Sequence, residues 1–321
     1  MRARSLGAGH MKCVLPLICF LAAIVCPNSR AQTPGAQSTP GSTYEVRIKP
    51  TAEQLFLVHR TDGHVDVRIE VLAQGSGPVI VILPSLGRGA EDYNVVAALL
   101  AKDGFRVLRP QPRGIGASTG PMTGLTLHDF AADIASVIEH EDKGPAVVVG
   151  HAYGHFVART LATDRPDLVR GVVLAAASAG KVPPGVHEPS VAPEVREAIE
   201  KSGDLSLPDA DRLRYLQFAF FAPGHDPHVW LTGWHPETEK SENSASRATP
   251  VDDWFDCGTA RILDLQAEND AVAPRKFAGV LKAALGDRVT VVVIPNAGHA
   301  LVPEQPEATA KAIAEFARAL K

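Results

Sequence analysis

The sequence predicts an α/β domain: a mostly parallel central sheet flanked by helices on both faces, with a helical cap inserted late in the chain. Three observations carry that expectation. Continuous apolar runs at residues 79–83, 147–149, 172–174 and 291–294 have the pattern of parallel strands buried on both faces. Helical periodicities at residues 90–102, 127–141, 152–163, 274–285 and 306–320 fall between and after them, and strands alternating with helices of this length build a covered parallel sheet. Residues 180 to about 258 break the alternation and hold all three tryptophans, Trp230, Trp234 and Trp254, so this segment is read as a mainly helical cap over the carboxyl ends of the strands.

At the N-terminus, Arg2, Arg4 and Lys12 precede an apolar run at residues 13–25 and the small-residue site Ser29-Arg30-Ala31. This is the layout of a secretory signal cleaved near Ala31, and Met11-Lys12 would open a complete shorter signal. The apolar run is too short for a bilayer core of about 30 Å. The mature chain is therefore expected to be exported, periplasmic or secreted, without a membrane segment. Residues 32–42, rich in Gln, Pro, Gly, Ser and Thr, read as a disordered leader, and residues 43–321 as one domain.

Cys13, Cys19 and Cys26 fall in the signal, which leaves Cys257 alone in the mature chain, with no intrachain disulfide, as a packed thiol. Two segments that alternate apolar with polar, residues 44–48 and 65–71, predict half-exposed antiparallel strands. A net charge of -4 with no basic block gives no nucleic-acid footprint. Gly87-Arg88-Gly89 and Gly114-Ile115-Gly116 are glycine turns without a complete phosphate-binding motif. His225, His228 and His235, with Asp226, crowd one cap segment, but their spacing matches no closed metal site. Neither a metal nor a cofactor is expected. The cap rings, Phe220, Phe221, Trp230 and Trp234 foremost, would line a pocket for a small apolar or acyl substrate, or else form a small core of their own.

Gly150-His151-Ala152-Tyr153-Gly154 follows an apolar run and opens into a helical pattern. That is the strand–turn–helix setting of a G-x-S-x-G nucleophile elbow, with alanine where the serine stands. Pro84-Ser85-Leu86-Gly87-Arg88-Gly89, Arg113-Gly114-Ile115-Gly116-Ala117-Ser118, Asn269-Asp270 with Pro274, and Asn296-Ala297-Gly298-His299 follow the same scheme in order. On these landmarks the chain resembles the α/β-hydrolase superfamily over roughly residues 44–320.

The resemblance implies an ester or amide hydrolase ancestry with Asp270 as acid, Glu268 as its rival, and His299 as general base. It also implies the amides of Leu86 and Tyr153 as oxyanion donors, and it puts His151 beside the pocket. Pro84-Ser85 stands where many members carry His-Gly, Gln111 where an Asp often precedes the Arg-Gly turn, and His155 where a small residue is common. Ala152 offers neither hydroxyl nor carboxylate, which excludes a covalent intermediate there. Four readings follow: an introduced Ser→Ala change that traps substrate; a His299–Asp270 pair acting on water or on substrate directly; Ser85 as a displaced nucleophile; and a non-catalytic ligand-binding member.

Overall fold

The apolar runs at residues 79–83, 147–149 and 172–174 form the middle of a sheet whose strands, in spatial order, are β1-β2-β4-β3-β5-β6-β7-β8. The run at 291–294, expected to be buried on both faces, lies on its edge strand with Val291 exposed, because no further strand among the described residues covers it. The strands are β1 (Gln54–Asp62), β2 (Val65–Gly75), β3 (Val79–Leu83), β4 (Arg106–Pro110), β5 (Ala146–His151), β6 (Val169–Ala175), β7 (Arg261–Ala267) and β8 (Val289–Ile294). Residues 53–62, 65–183 and 185–320 are described by the computed structural model, all within one compact unit. The expected signal, the expected leader and the expected strand at residues 44–48 lie outside the described residues. β1 and β2 pair antiparallel, β2 joins β4 antiparallel, and every pair from β4 to β8 is parallel.

Two apolar layers hold the sheet. On one face α1 (Asn94–Lys102) and α9 (Pro306–Ala319) cover Ile80, Ile82, Val147, Val149 and Leu263. On the other, α2 (Leu127–Glu141), α3 (Gly154–Asp164) and α7 (Gly279–Leu285) cover Val79, Val81, Val148 and Ile262. The odd and even residues of β3, β5 and β7 thus go to opposite layers, as the pleat requires. α2 begins in a capping box, Asp129 Oδ2 accepting the Thr126 amide at 2.8 Å.

Between β6 and β7 the chain leaves the sheet and forms the cap: α4 (Pro193–Gly203), α5 (Asp209–Ala219) and α6 (Pro236–Ala248). A short α8 (Leu301–Glu304) precedes α9.

The structure departs from the sequence expectation in three further places. β1 and β4 carry no apolar run: β4 is Arg106-Val107-Leu108-Arg109-Pro110, and its two arginines are buried through partners distant in sequence. Arg106 pairs with Glu141, and Arg109 reaches Glu53, Asn94 and the Ala90 carbonyl. The expected helix at residues 152–163 starts at Gly154 instead, because Ala152 takes a left-handed φ of 45°. The expected helices at 90–102 and 274–285 open with single 3₁₀ turns, Ala90–Tyr93 and Arg275–Phe277.

Candidate active site

Ala152 stands at the C-terminal end of β5, in the middle of the sheet, in a conformation that L-residues rarely adopt. Such strain persists only where its surroundings over-determine it. Here the Ala152 amide is spent on the Ala175 carbonyl at 2.9 Å, and the Ala152 carbonyl accepts the His155 amide at 3.0 Å. At Gly154 a Cβ would meet the Leu83 carbonyl oxygen at 2.5 Å and that of Pro84 at 2.7 Å, so only glycine lets α3 approach β3 this closely. The backbone of a nucleophile elbow is therefore intact beneath a methyl side chain.

The amides around this turn are distributed selectively. Ser85 N–H donates to Tyr93 Oη at 2.9 Å and Gly87 N–H to Glu242 Oε2 at 2.7 Å, while Leu86 N–H between them has no partner among the described residues. Tyr153 N–H is likewise unengaged among them, next to the occupied amide of Ala152. These are the two donors that the sequence singles out for an oxyanion.

His299 lies in the loop after β8, 4% exposed, with its Nδ1 3.0 Å from both oxygens of Asp270. Asp270 Oδ1 also accepts the amides of Val272 at 2.9 Å and Ala273 at 2.7 Å, which fix the carboxylate in a turn. A carboxylate only accepts, so Nδ1 carries the proton and the Nε2 lone pair is left for chemistry. Glu268, the rival acid, is instead bonded to the Asn296 amide at 2.9 Å and does not reach His299.

His151, read from sequence as pocket lining, is fully buried and used at both nitrogens. Its Nε2–H donates to the His299 carbonyl at 2.8 Å, and its Nδ1 faces Tyr93 Oη at 2.7 Å. Burial, then the neighbouring His299, pushes its imidazole down to about 3, so the ring is neutral and supports the loop. Ser85 is buried as well, and among the described residues its hydroxyl makes no hydrogen bond to a histidine. Nothing in the geometry activates it.

The cap aromatics divide into two groups. Phe220, Phe221, Trp230 and Trp234 form a buried cluster with Ala300, and the Phe220 ring lies 5.7 Å from the His299 ring, roofing it. Trp254 belongs to the layer under α3 instead. Arg88, 1% exposed, reaches from the oxyanion turn between Trp230 and Trp234, 5.1 and 4.8 Å from their ring centres, and is paired with Asp92. The three cap histidines part company: His225 bonds the Asn296 carbonyl and His228 bonds Asp226, while the His235 amide donates to the Gly87 carbonyl. Among the described residues no three His, Cys, Asp or Glu side chains gather as metal ligands would.

Tyr93, Glu242 and Glu304 are the supporting residues that sequence reasoning missed. Glu304 is buried; Oε1 accepts the Ala222 amide of the cap and Oε2 the Gly298 amide beside His299, both at 2.6 Å. The same approach explains Gly298, where a Cβ would lie 2.6 Å from the Phe220 carbonyl oxygen. Glu242 does for the oxyanion turn what Glu304 does for the histidine loop. The available signal was an acidic residue in each case, with no local pattern to mark it as buried.

Comparison with known proteins identifies the family of the fold. The alpha/beta hydrolase family profile matches residues 80–312. The 2-(acetamidomethylene)succinate hydrolase of Mesorhizobium japonicum is 26% identical over 276 residues, 83% of this chain and 96% of its own length. The non-heme chloroperoxidase of Streptomyces lividans is 34% identical over 234 residues, 68% of this chain and 83% of its own. Among solved structures, an esterase from Exiguobacterium antarcticum superposes with a TM-score of 0.68 at 22% identity, over 82% of this chain and 99% of that one, a likeness of fold. The chain belongs to the alpha/beta hydrolase family.

Proposed function

We propose that the protein is a hydrolase of a small apolar acyl substrate, an ester, lactone or activated amide, that uses water in place of the missing serine. The observation that carries this reading is the pairing of a free His299 Nε2 with two unengaged amides, Leu86 and Tyr153, around an elbow that keeps its strained backbone.

In this reading His299 Nε2 takes a proton from water while the water oxygen bonds to the acyl carbon. The carbonyl electron pair moves onto oxygen, where the two amides meet it. Collapse of the adduct breaks the bond to the leaving oxygen or nitrogen, which receives the proton from His299. Asp270 holds the ring's orientation and balances the imidazolium. The attacking water in this reading takes the place of a serine hydroxyl at Ala152. The 2-(acetamidomethylene)succinate hydrolase similarity supports a substrate with an acyl–heteroatom bond, and the Phe220 ring beside His299 favours an apolar body. The N-terminal pattern supports action after export, with a mature N-terminus near residue 32 to be read by terminal sequencing of the secreted protein.

A second reading, a ligand-binding member without turnover, is favoured by Ala152 itself. Hydrolysis of p-nitrophenyl esters and lactones by the wild type and by His299→Ala separates the two. Turnover that disappears with His299 supports the water mechanism; a wild type that binds these compounds without hydrolysing them overturns it in favour of binding.

A further inference from the structure

A cavity of about 320 Å³ opens beside α3 and α7, walled by Phe156, Trp254 and Phe277 and by the loop after β6. Ala152, Leu86, Tyr153 and His299 do not line it. It meets the candidate active site only at its edge, through Val272 and Ala273, whose amides hold Asp270.

Its floor is unusual. Asp264 sits within β7, 4% exposed, on the same side as Ile262 in the layer under α3. A carboxylate in such a layer is expensive to desolvate and is normally paired. Oδ2 accepts Gln266 Nε2 at 2.7 Å. Oδ1 has no hydrogen-bond partner among the described residues, yet it is not one of the sealed buried atoms and keeps its access to the cavity.

The nearby cations are engaged elsewhere, although Arg159 Nε is buried without a hydrogen-bond partner among the described residues. Arg159 of α3 donates to the carbonyls of Phe255 at 2.7 Å, Ser178 at 3.3 Å and Ala179 at 3.4 Å, and stacks 4.8 Å from the centre of Trp254. It provides background positive potential for Asp264 without an ion pair. Lys181, at the rim, is bonded to Asp252 at 2.6 Å and lies 4.3 Å over Phe255. Burial pushes the Asp264 carboxyl up to about 6, against the opposing Gln266 and Arg159, so at pH 7.5 it is ionised with one lone-pair face unsatisfied.

We propose that this cavity is a second small-molecule site, separate from the His299–Asp270 dyad, that takes a small organic primary amine, its ammonium on Asp264 Oδ1 and its apolar body against Phe156, Trp254 and Phe277. A charge-assisted N–H···O bond is the strongest complement to a free carboxylate oxygen, and the aromatic walls supply the apolar contact typical of small-ligand sites. An anion is excluded by Asp264. An alcohol satisfies the lone pair without neutralising the charge, and so binds less tightly.

The test is calorimetric titration at pH 7.5 with benzylamine, benzyl alcohol and benzoate, on the wild type, Asp264→Asn and His299→Ala. Saturable one-to-one binding of benzylamine is expected, at least ten-fold weaker for benzyl alcohol and absent for benzoate. Asp264→Asn, which keeps the side-chain shape, is expected to weaken benzylamine at least ten-fold, and His299→Ala to leave it unchanged. Failure of benzylamine to saturate the wild type, or equal affinity for the alcohol, overturns the proposal without need of any variant. Unaltered binding to Asp264→Asn, or loss of binding in His299→Ala, overturns it by placing the amine elsewhere. Because His299→Ala is also the variant that tests hydrolysis, failure of the hydrolase reading and failure of this one are distinguishable.

Discussion

Tyr93 Oη lies 2.7 Å from His151 Nδ1 and 2.9 Å from the Ser85 amide, so one hydroxyl joins the oxyanion turn to the elbow. The direction of each bond follows from its end members. The Ser85 amide donates to Oη, Oη–H donates to Nδ1, and the proton on His151 Nε2 goes to the His299 carbonyl. Oxyanion turn, elbow and histidine loop thus hang on a single buried chain of hydrogen bonds, in which every donor meets an acceptor.

Tyr93→Phe cuts this chain at its middle and leaves the Ser85 amide and His151 Nδ1 unsatisfied. Buried polar groups stripped of a partner cost about 1–3 kcal/mol. Urea denaturation of the variant is expected to show a loss in that range, together with weaker ligand binding as the Leu86 amide loses its fixed position. A change below about 0.5 kcal/mol would mean that water replaces the hydroxyl and that the chain is not a structural tie.

The acid limb of stability should report His151. Its folded value near 3 lies below the ordinary 6.5, so the unfolded chain binds the extra proton between those values. Stability is then complete above about pH 6.5 and falls with acid at about 1.4 kcal/mol per pH unit for each such imidazole. His155, fully buried with its ring pushed well down by burial and then by Arg159, adds in the same direction. His151→Gln is expected to flatten the slope by about one proton; an unchanged slope between pH 4 and 6.5 would contradict the neutral, buried ring.

Glu242 has the opposite sign. Burial raises its carboxyl from 4.5 to about 8, so the folded state holds a proton that the unfolded state has lost. Its contribution is therefore present at the acid end of that window and is lost as pH rises through about 8. Glu242→Gln keeps an acceptor for the Gly87 amide and carries no charge. It is expected to match the wild type near pH 4.5 and to exceed it in thermal stability at pH 9. A variant less stable than wild type at pH 9 would show that Glu242 is ionised and welcome there.

How much of this was legible follows the range of the interactions. Although the edge strand β8, with Val291 exposed, also carries one, β3, β5 and β6 are written in continuous apolar runs because each strand satisfies both faces with its own side chains. β4 is not, because the partners that make Arg106 and Arg109 tolerable inside, Glu141 and Glu53, are far away in sequence. The elbow, the oxyanion turn, Asp270 and His299 carry local glycine and turn signatures, and they were legible as a set. Tyr93, Glu242 and Glu304 act through amides in other segments, and no local pattern distinguishes them from an ordinary ring and two surface acids. His151 shows the same limit: its place beside the elbow was evident, its burial and its two bonds were not.

Ala152→Ser tests whether the elbow still works as one. The alanine already bears the φ of 45°, and serine shares its Cβ, so the substitution adds no backbone strain. A hydroxyl there would stand at the end of β5, beside the unengaged Leu86 and Tyr153 amides and the loop that presents His299. The variant is expected to gain at least about 100-fold in kcat/KM on p-nitrophenyl butyrate, a conservative figure given the 10³–10⁴-fold rate that remains when serine proteases lose their triad and the far larger one the complete triad supplies. It should also react one-to-one with a fluorophosphonate probe that leaves the wild type unlabelled, and His299→Ala in the same chain should abolish both. If Ala152→Ser is neither labelled nor faster, position 152 does not face the His299 Nε2 lone pair, and the water mechanism fails with it, because that mechanism needs the same line of attack.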